Sequence, residues 1–464
     1  MSKKKKNKWL NKKNIVSNEK RNAFIKKDGK PLVSPMIGDR VRLNISPVAI
    51  PPLPHCSMPH TPTVHGVEFQ IQHAPPKQED QRSDDDFRAV HVAADHAGCG
   101  WWRFHEIEDM INYTKRGYVI NSGLRLNRDY FMSIGFDAIR LQRQVGPGRY
   151  EYWADIKQMI NELGLKTRLI YELDDIVIGE KMPAYNEAKA AFSDDETVQS
   201  LHKMLDLVDE MTVVSPYMRH LYRKHHQTTK ISVIPNFASR AWFDGRFNLD
   251  YRMKMYDKHK KRPRILLSGG ATHVNPNDHS LYGETDYTKC VDAIISARKD
   301  FEFVIMGVLP PVFRAFLENG EMTYIPWANL PDYPRRLNEL DIQCSIAPLS
   351  DNDFNKAKSS IKWQEACYMG FGFAGQDLEP YADARNKFNV GAELIDILKH
   401  ITKDEQTYQE EIEFNRKNAD KYWLDDKIDD IITIYKTPYA DPQREKIKWF
   451  VDLNPAQFHI QKTS

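Results

Sequence analysis

Asp341-Ile-Gln-Cys-Ser-Ile-Ala-Pro348, then Asp353-Phe-Asn-Lys-Ala-Lys-Ser-Ser-Ile-Lys-Trp-Gln-Glu-Ala-Cys-Tyr-Met-Gly370, then Phe371-Gly-Phe-Ala374 form the most informative stretch of the chain. Two short apolar runs flank a segment with helical spacing, so the stretch reads strand, loop, helix, strand. If Ser359 or Ser360 caps the helix, its first backbone N–H groups and the positive end of its dipole point into the loop, where an anion is stabilised. Lys358 and Lys362 add positive charge there, and Lys362 and Glu365, three residues apart, share a face. A cation can then meet a phosphate while the carboxylate accepts hydrogen bonds from vicinal hydroxyls such as those of a ribose. The plainer alternative is a surface helix carrying a weak intrahelical Lys–Glu pair.

The same alternation extends in both directions. Strand-like runs occur at 88–94, 137–142, 168–173, 211–216, 231–236, 265–269 and 301–307, with helical patterns at 150–163, 198–208, 217–226, 287–298, 333–340, 393–401 and 405–421. Strands alternating with helices of this length call for right-handed crossovers, parallel sheets, and chemistry at the strands' carboxyl ends. Asp174 and Asp175 sit at such an end. They are candidates for a general base, for orienting a substrate or for holding a divalent ion; capping the next turn is the alternative. The first strand leads into Asp95-His-Ala-Gly-Cys-Gly-Trp-Trp-Arg103, whose glycines permit close backbone approach. His96 is a candidate acceptor-side base or else a packing histidine. The lone G-x-G is weak, and no complete G-x-G-x-x-G opens either half, which disfavours an oxidoreductase.

The central stretch resembles the donor-binding segment of retaining glycosyltransferases of the GT-B fold, the family 4-like group. Phe354, Asn355, Ser359, Lys362, Glu365 and Gly370 match the pattern in order, and many members carry a second Glu where Ala357 stands here. Ile265-Leu-Leu-Ser-Gly-Gly-Ala-Thr-His273 resembles the first strand and loop of the family's nucleotide-binding domain, and Phe301-Glu-Phe-Val-Ile-Met-Gly307 its second strand. Three further ordered matches extend the likeness over roughly 88–423. The resemblance implies two Rossmann-like domains facing a cleft, a nucleotide-diphosphate sugar as donor (a UDP-sugar is expected), and retention at the anomeric carbon. It implies Glu365 on the ribose, and Gly269, Gly270, Thr272, His273, Lys358, Ser359 and Lys362 around the diphosphate. It also puts Gly98, Gly100 and Arg103 at the cleft, near Asp174, Asp175 and His96. The Arg and Lys that many members place in the first donor-domain loop are absent, so backbone N–H groups with Lys358 and Lys362 have to serve. Glu379-Pro-Tyr381 resembles the family's loop near the donor sugar.

Composition agrees with two cores. The chain has 464 residues, 41% of them hydrophobic, and no run approaches the ~18 apolar residues of a membrane span. Five cysteines, Cys56, Cys99, Cys290, Cys344 and Cys367, show no C-x-x-C pair, so neither a zinc ribbon nor a disulfide framework is indicated, and all five are assigned to packing. His55, His60, His65 and His73 lie in a Pro-rich stretch, 46–76, that reads as an extended arm, and their spacing fits no zinc pattern. Residues 1–30 carry a net charge of +10, and the remainder carries −8 against a total of +2. Such a lysine-rich start suits a polyanion, nucleic acid first and an acidic membrane surface second.

The expected organisation is therefore a basic tail and arm at 1–87, an acceptor domain at 88–250, a donor domain opening with a charged linker in 251–400, and C-terminal helices at 401–464. Those helices, from Trp423 on, are expected to cross back to the first domain. In general character the chain resembles the enzymes with which T-even-like bacteriophages glycosylate hydroxymethylated cytosines. DNA containing 5-hydroxymethylcytosine is accordingly the first-ranked acceptor and partner. A cell-envelope or polysaccharide enzyme, and a silent module binding sugar nucleotides or nucleic acid, stay open. No secretory apolar core follows Met1, so a cytoplasmic location (the host's, if phage-encoded) is expected, and no cofactor beyond the donor, with a divalent metal left open.

Overall fold

The computed structural model describes residues 63–64, 67–68, 86–95, 97–121, 135–274, 284–308, 310–447 and 449. The lysine-rich start, the histidines of the arm, Cys56 and His96 lie outside the described residues. Thr63–Val64 and Val67–Glu68 pair as a short antiparallel hairpin in a unit of its own.

In the second unit the chain builds two six-stranded, all-parallel sheets. The first comprises β1 (Phe87–Val92), β2 (Gly117–Asn121), β3 (Ala138–Gln142), β4 (Arg168–Leu173), β5 (Glu210–Val213) and β6 (Ile231–Val233), in spatial order β2-β1-β3-β4-β5-β6. The second comprises β7 (Arg264–Gly269), β8 (Glu302–Gly307), β9 (Thr323–Ile325), β10 (Cys344–Ala347), β11 (Gly372–Gln376) and β12 (Lys387–Phe388), in order β9-β8-β7-β10-β11-β12. Strands buried on both faces explain the near-continuous apolar runs of the sequence. β3, β4, β5, β10 and β11 are buried at every position.

The longer helices are α1 (Glu106–Tyr113), α2 (Arg149–Glu162), α3 (Asp195–Leu207), α4 (Pro216–His225), α5 (Leu249–His259), α6 (Val291–Ala297), α7 (Tyr333–Glu339), α8 (Ile361–Met369), α9 (Gly391–Ile401), α10 (Glu405–Ala419) and α11 (Ile428–Lys436). Asp194, Ser215, Asn248 and Asp404 cap α3, α4, α5 and α10 through side-chain hydrogen bonds. Each sheet lies between two apolar layers, giving two three-layer lobes.

Part of the stretch read as a charged linker, 251–264, is instead helix α5 followed by the start of β7. Its charges are not all solvated. Arg252 is fully buried, donating from Nη2 to Asn338 Oδ1 at 2.6 Å with its guanidinium 4.6 Å from the Phe371 ring centroid. Beyond α10 the chain returns to the first lobe. Trp423 bridges Ala238, and Ile428, Ile431 and Ile434 of α11 join Phe87, Ala89 and Ile107 in one apolar layer. Arg444 then closes on the buried Glu210 through two bonds of 2.8 Å. No helix among the described residues is long and apolar enough to cross a membrane.

Candidate active site at the facing sheet ends

Strand order reverses direction between β7 and β10 in the second sheet, and between β1 and β3 in the first. Such switch points open a crevice at the strands' carboxyl ends. The loop after β7 carries Gly269, Gly270, Thr272 and His273, and the loop after β10 leads through 353–359 into α8. The expected donor residues thus lie on the two sides of one switch point.

Helix α8 is buried from Trp363 to Met369, whereas Ser359, Ser360, Ile361 and Lys362 at its start are half-buried. It ends at Gly370, whose φ of 65° and contact with the Phe247 ring, 2.4 Å from where a Cβ would sit, require glycine. The expected serine cap is corrected: Ser360 occupies the N-cap position but makes no side-chain capping bond. Its Oγ accepts from Gln364 Nε2 at 3.0 Å, and Ser359 Oγ accepts from Asn236 Nδ2 at 3.0 Å. The serine hydroxyls therefore do not occupy the helix's opening N–H groups. One turn in, Lys362 Nζ lies 3.2 Å from Glu365 Oε2, and Glu365 is 5% exposed. The Lys–Glu pair does form, but on a buried helix and not a surface one. Burial, and next the Glu365 carboxylate, push the Tyr333 phenol well above its usual range.

His273 and Lys358 converge on Asp286, a residue outside the sequence-based expectation. Asp286 Oδ1 accepts from the Ser350 N–H at 2.9 Å, from Asn355 Nδ2 and from the Tyr185 hydroxyl. Its Oδ2 lies 2.7 Å from His273 Nδ1 and 3.8 Å from Lys358 Nζ. Burial opposes the charge on Asp286, but Lys358 and the hydrogen bonds prevail and hold its carboxyl below the usual range. Asp286 stands 13 residues beyond His273, and the spacing carried no motif that would have marked it.

The first lobe presents Asp174 and Asp175 just after β4. Arg143 ion-pairs with Asp95 and lies 3.4 Å from Asp174 Oδ1. Burial pushes Asp174 up, but Arg143, then the Cys99 thiol, outweigh it and hold the carboxyl low. Burial and the neighbouring Asp174 push Asp175 up, against the pull of Lys358 from the facing lobe. Cys99, Asp174 and Asp175 can bring ligand atoms within 4.8 Å of one another. Cys99 stands beside these carboxylates, and burial and then Asp174 raise its thiol, as suits a packing residue.

Of the first-loop residues, Gly100 is needed for space, since a Cβ there would lie 1.8 Å from Asp95 O. Gly98 faces open space, so no steric demand calls for glycine there. Arg103 is corrected from a cleft contact to a sealed one. It is 1% exposed, pairs with Glu172 at 2.6 Å, and donates to Ile234 O and to Asn236 Oδ1. Asn236 in turn donates to Ser359, so this relay links Arg103 to the segment just before α8. His96 cannot be placed.

The lobes touch along 353–359. Tyr217 donates to Asp353 Oδ1 at 2.7 Å, Lys181 Nζ lies 3.1 Å from Asp353 Oδ2, and Ser215 Oγ donates to Ala357 O at 2.7 Å. Phe354 and Ala357 pack into the first lobe's apolar layer. Ala357, where many of the enzymes the chain resembles have Glu, is fully buried in this apolar layer, where an ionised carboxylate would be desolvated. Trp327 is 44% exposed and lies against Gly307 at the end of β8, where a Cβ would be 2.5 Å from the indole.

No family model matches the sequence, and no curated protein matches it. Solved structures do. Sucrose-phosphate synthase from Thermosynechococcus elongatus superposes with a TM-score of 0.51 at 10% identity, over 76% of this chain and 98% of that one. HepE from Anabaena, in complex with UDP and glucose, gives 0.48 at 10% identity, over 75% and 98%. TarM from S. aureus, in a complex containing UDP, gives 0.43 at 10% identity, over 67% and 58%. The chain has the GT-B fold. At this identity the likeness is one of architecture, and the chemistry has to be argued from the residues above.

Proposed function

We propose that the protein is a glycosyltransferase that moves a sugar from a nucleotide-diphosphate donor to a hydroxyl acceptor. The observation that carries this is the pairing across the crevice. Lys358, Lys362 and the uncapped start of α8 supply positive potential at the second sheet's switch point, while Asp175 faces Lys358 from the first lobe. A departing nucleoside diphosphate develops negative charge where those lysines stand, and preorganised charge of this kind is commonly the largest catalytic contribution. Glu365 would take the ribose hydroxyls, and Trp327 offers a half-exposed ring on which a base can stack. Asp175 would receive or orient the acceptor hydroxyl, with Asp174 kept ionised by Arg143 and holding the guanidinium in place. Gly269, Gly270, Thr272, Ser359 and His273 complete the donor side, with Gly98 and Gly100 at the acceptor rim.

A UDP-sugar donor and retention at the anomeric carbon follow from the resemblance to the family 4-like enzymes. We further propose 5-hydroxymethylcytosine in DNA as the acceptor, because the +10 charge of residues 1–30 needs a polyanion. The test is a panel of sugar nucleotides incubated with plain and hydroxymethylated DNA and read by mass shift. A hexose- or pentose-sized increment on hydroxymethylated DNA alone is expected. Transfer to lipid or glycan acceptors with none to DNA overturns the acceptor assignment, and no nucleoside diphosphate release with any acceptor overturns the enzyme assignment.

A further inference from the structure

The loop after β7 contains no arginine or lysine between Ser268 and Val274, so both lysines of the donor site come from the β10 side. A diphosphate lying across the switch point would meet positive charge on one flank only, unless the other flank acquires it. Among the described residues of that flank, the side chain able to do so near neutral pH is His273.

We propose that the Asp286–His273 pair is the diphosphate grip on the β7 side of the site, and that donor binding draws one proton onto His273. This rests on the nucleotide-sugar reading above. The geometry supports it in three ways. Asp286 is 2% exposed and fixed by Ser350, Asn355 and Tyr185, so it is a rigid anchor. His273 turns Nδ1 to that anchor at 2.7 Å, which directs Nε2 away from Asp286, and its side chain remains 20% exposed. The ring lies over the end of β7, with Cδ2 3.2 Å from where a Cβ on Gly269 would sit, so it borders the space a phosphate would use.

The groups facing the imidazole set the direction of the proton. Burial lowers its basicity first, then Lys358, with Lys362 adding to this, while Asp286 opposes them. The hydroxyl of Tyr287 lies close by, 3.0 Å from the same Gly269 position, and burial holds it protonated. In the free protein burial and the lysines thus favour the neutral ring, with Nδ1 placed between Asp286 Oδ2 at 2.7 Å and Lys358 Nζ at 3.5 Å. A diphosphate screens the two lysines and adds negative charge beside Nε2, reversing the terms that depress the ring. The proton comes from solvent, and the imidazolium then donates from Nδ1 to Asp286 and from Nε2 to a phosphate oxygen. Asp286 acts through His273 and is a positioning residue.

The experiment uses the full chain and titration calorimetry with UDP, GDP and ADP, in buffers of different ionisation heat between pH 6 and 8. Each nucleotide's own phosphate ionisation cancels in the difference between wild type and His273→Gln. Wild type is expected to take up about one proton more than His273→Gln. Over the same range the affinity ratio of the two should change by up to about tenfold per pH unit. Asp286→Asn, confirmed as folded by its melting temperature, should lower uptake while keeping part of the binding. Equal proton uptake and equal pH slopes in wild type and His273→Gln overturn the proposal while leaving the donor site standing. Failure of the folded wild type to bind any of the three nucleotides overturns the nucleotide-sugar reading, and this inference with it.

Discussion

Arg103 and Lys358 are both cations beside carboxylates at the inner ends of parallel strands, yet the protein uses them differently. Arg103 is sealed, with Glu172 between it and Arg140, and its donors go to Glu172 on β4 and to Ile234 and Asn236 just past β6. Across the crevice the carboxylate Asp286 is equally buried, but Lys358 and His273, which it organises, keep 13% and 20% of their side chains open. A buried anchor with open working ends is what a ligand site requires, whereas a buried anchor with buried ends is architecture. The difference also explains why charge near a glycine-rich loop was a poor guide to Arg103.

The comparison breaks first, and most visibly, at Glu172. Glu172→Ala leaves the Arg103 and Arg140 guanidiniums buried without a counter-charge. The neighbouring His91, 3.3 Å from Arg140, carries no negative charge in either protonation state and so cannot replace the carboxylate. Removing one partner from a buried ionic cluster costs about 3–5 kcal/mol. Denaturant melts should show that loss, or expression should fail. A variant that melts with the wild type would mean the cluster is not the support assigned to it.

Glu106 sharpens the contrast, being buried in the same lobe and in no ion pair among the described residues. Its Oε2 accepts from the Ser239 N–H at 3.0 Å, and burial raises its carboxyl to about 7. An acid with a raised folded pKa binds its proton more tightly when folded, so stability is highest below its unfolded value of 4.5. It falls as pH rises from there to about 7 and is level above that. The span corresponds to roughly 3 kcal/mol. Glu106→Gln should therefore melt higher than wild type at pH 8 and close to it at pH 5; an equal difference at both values would contradict the assignment.

On the donor side, Glu365→Ala should leave stability less affected than Glu172→Ala but weaken donor binding by about ten- to a hundredfold, through loss of charge-assisted hydrogen bonds of roughly 1.5–3 kcal/mol. Calorimetry with the donor nucleotide reads this directly. Wild-type affinity in a folded Glu365→Ala protein would remove the ribose contact from the site.

The parts of the molecule legible in the sequence were those governed by local pattern. The strand, loop and helix from Asp341 to Gly370 declared itself through apolar runs and Gly370, and the two sheets followed from repetition of that unit. The return of Trp423 and the segment after it to the first lobe was legible only through the resemblance to the family 4-like enzymes, not from a local pattern. Asp286 and Tyr185 were not legible, because their roles depend on two chain segments about a hundred residues apart meeting across a crevice. Arg103 misled for the same reason: its neighbours in sequence are glycines and tryptophans, while its partners in space are Glu172 and Asn236. Helix α5 was hidden by its charges, since the buried Arg252 looks in sequence like the solvated lysines after it.

The seam between the lobes gives the smallest effects and tests whether closure and donor grip are separate. Tyr217→Phe deletes the hydroxyl bonded to Asp353, a half-buried pair, while Ser215, Asn236 and Tyr185 still join the same surfaces. The expected loss is about 0.5–1.5 kcal/mol. Lys181→Ala removes an ion pair whose partners are each 33% exposed, and should cost less than about 1 kcal/mol. Neither residue touches His273, Asp286 or Glu365, so donor affinity should move less than tenfold in both variants and without pH dependence. A pH-dependent loss of donor affinity in Tyr217→Phe would show that the seam and the Asp286 anchor act as one unit, because only movement of 353–359 could carry the change to Asn355, Lys358 and their shared carboxylate.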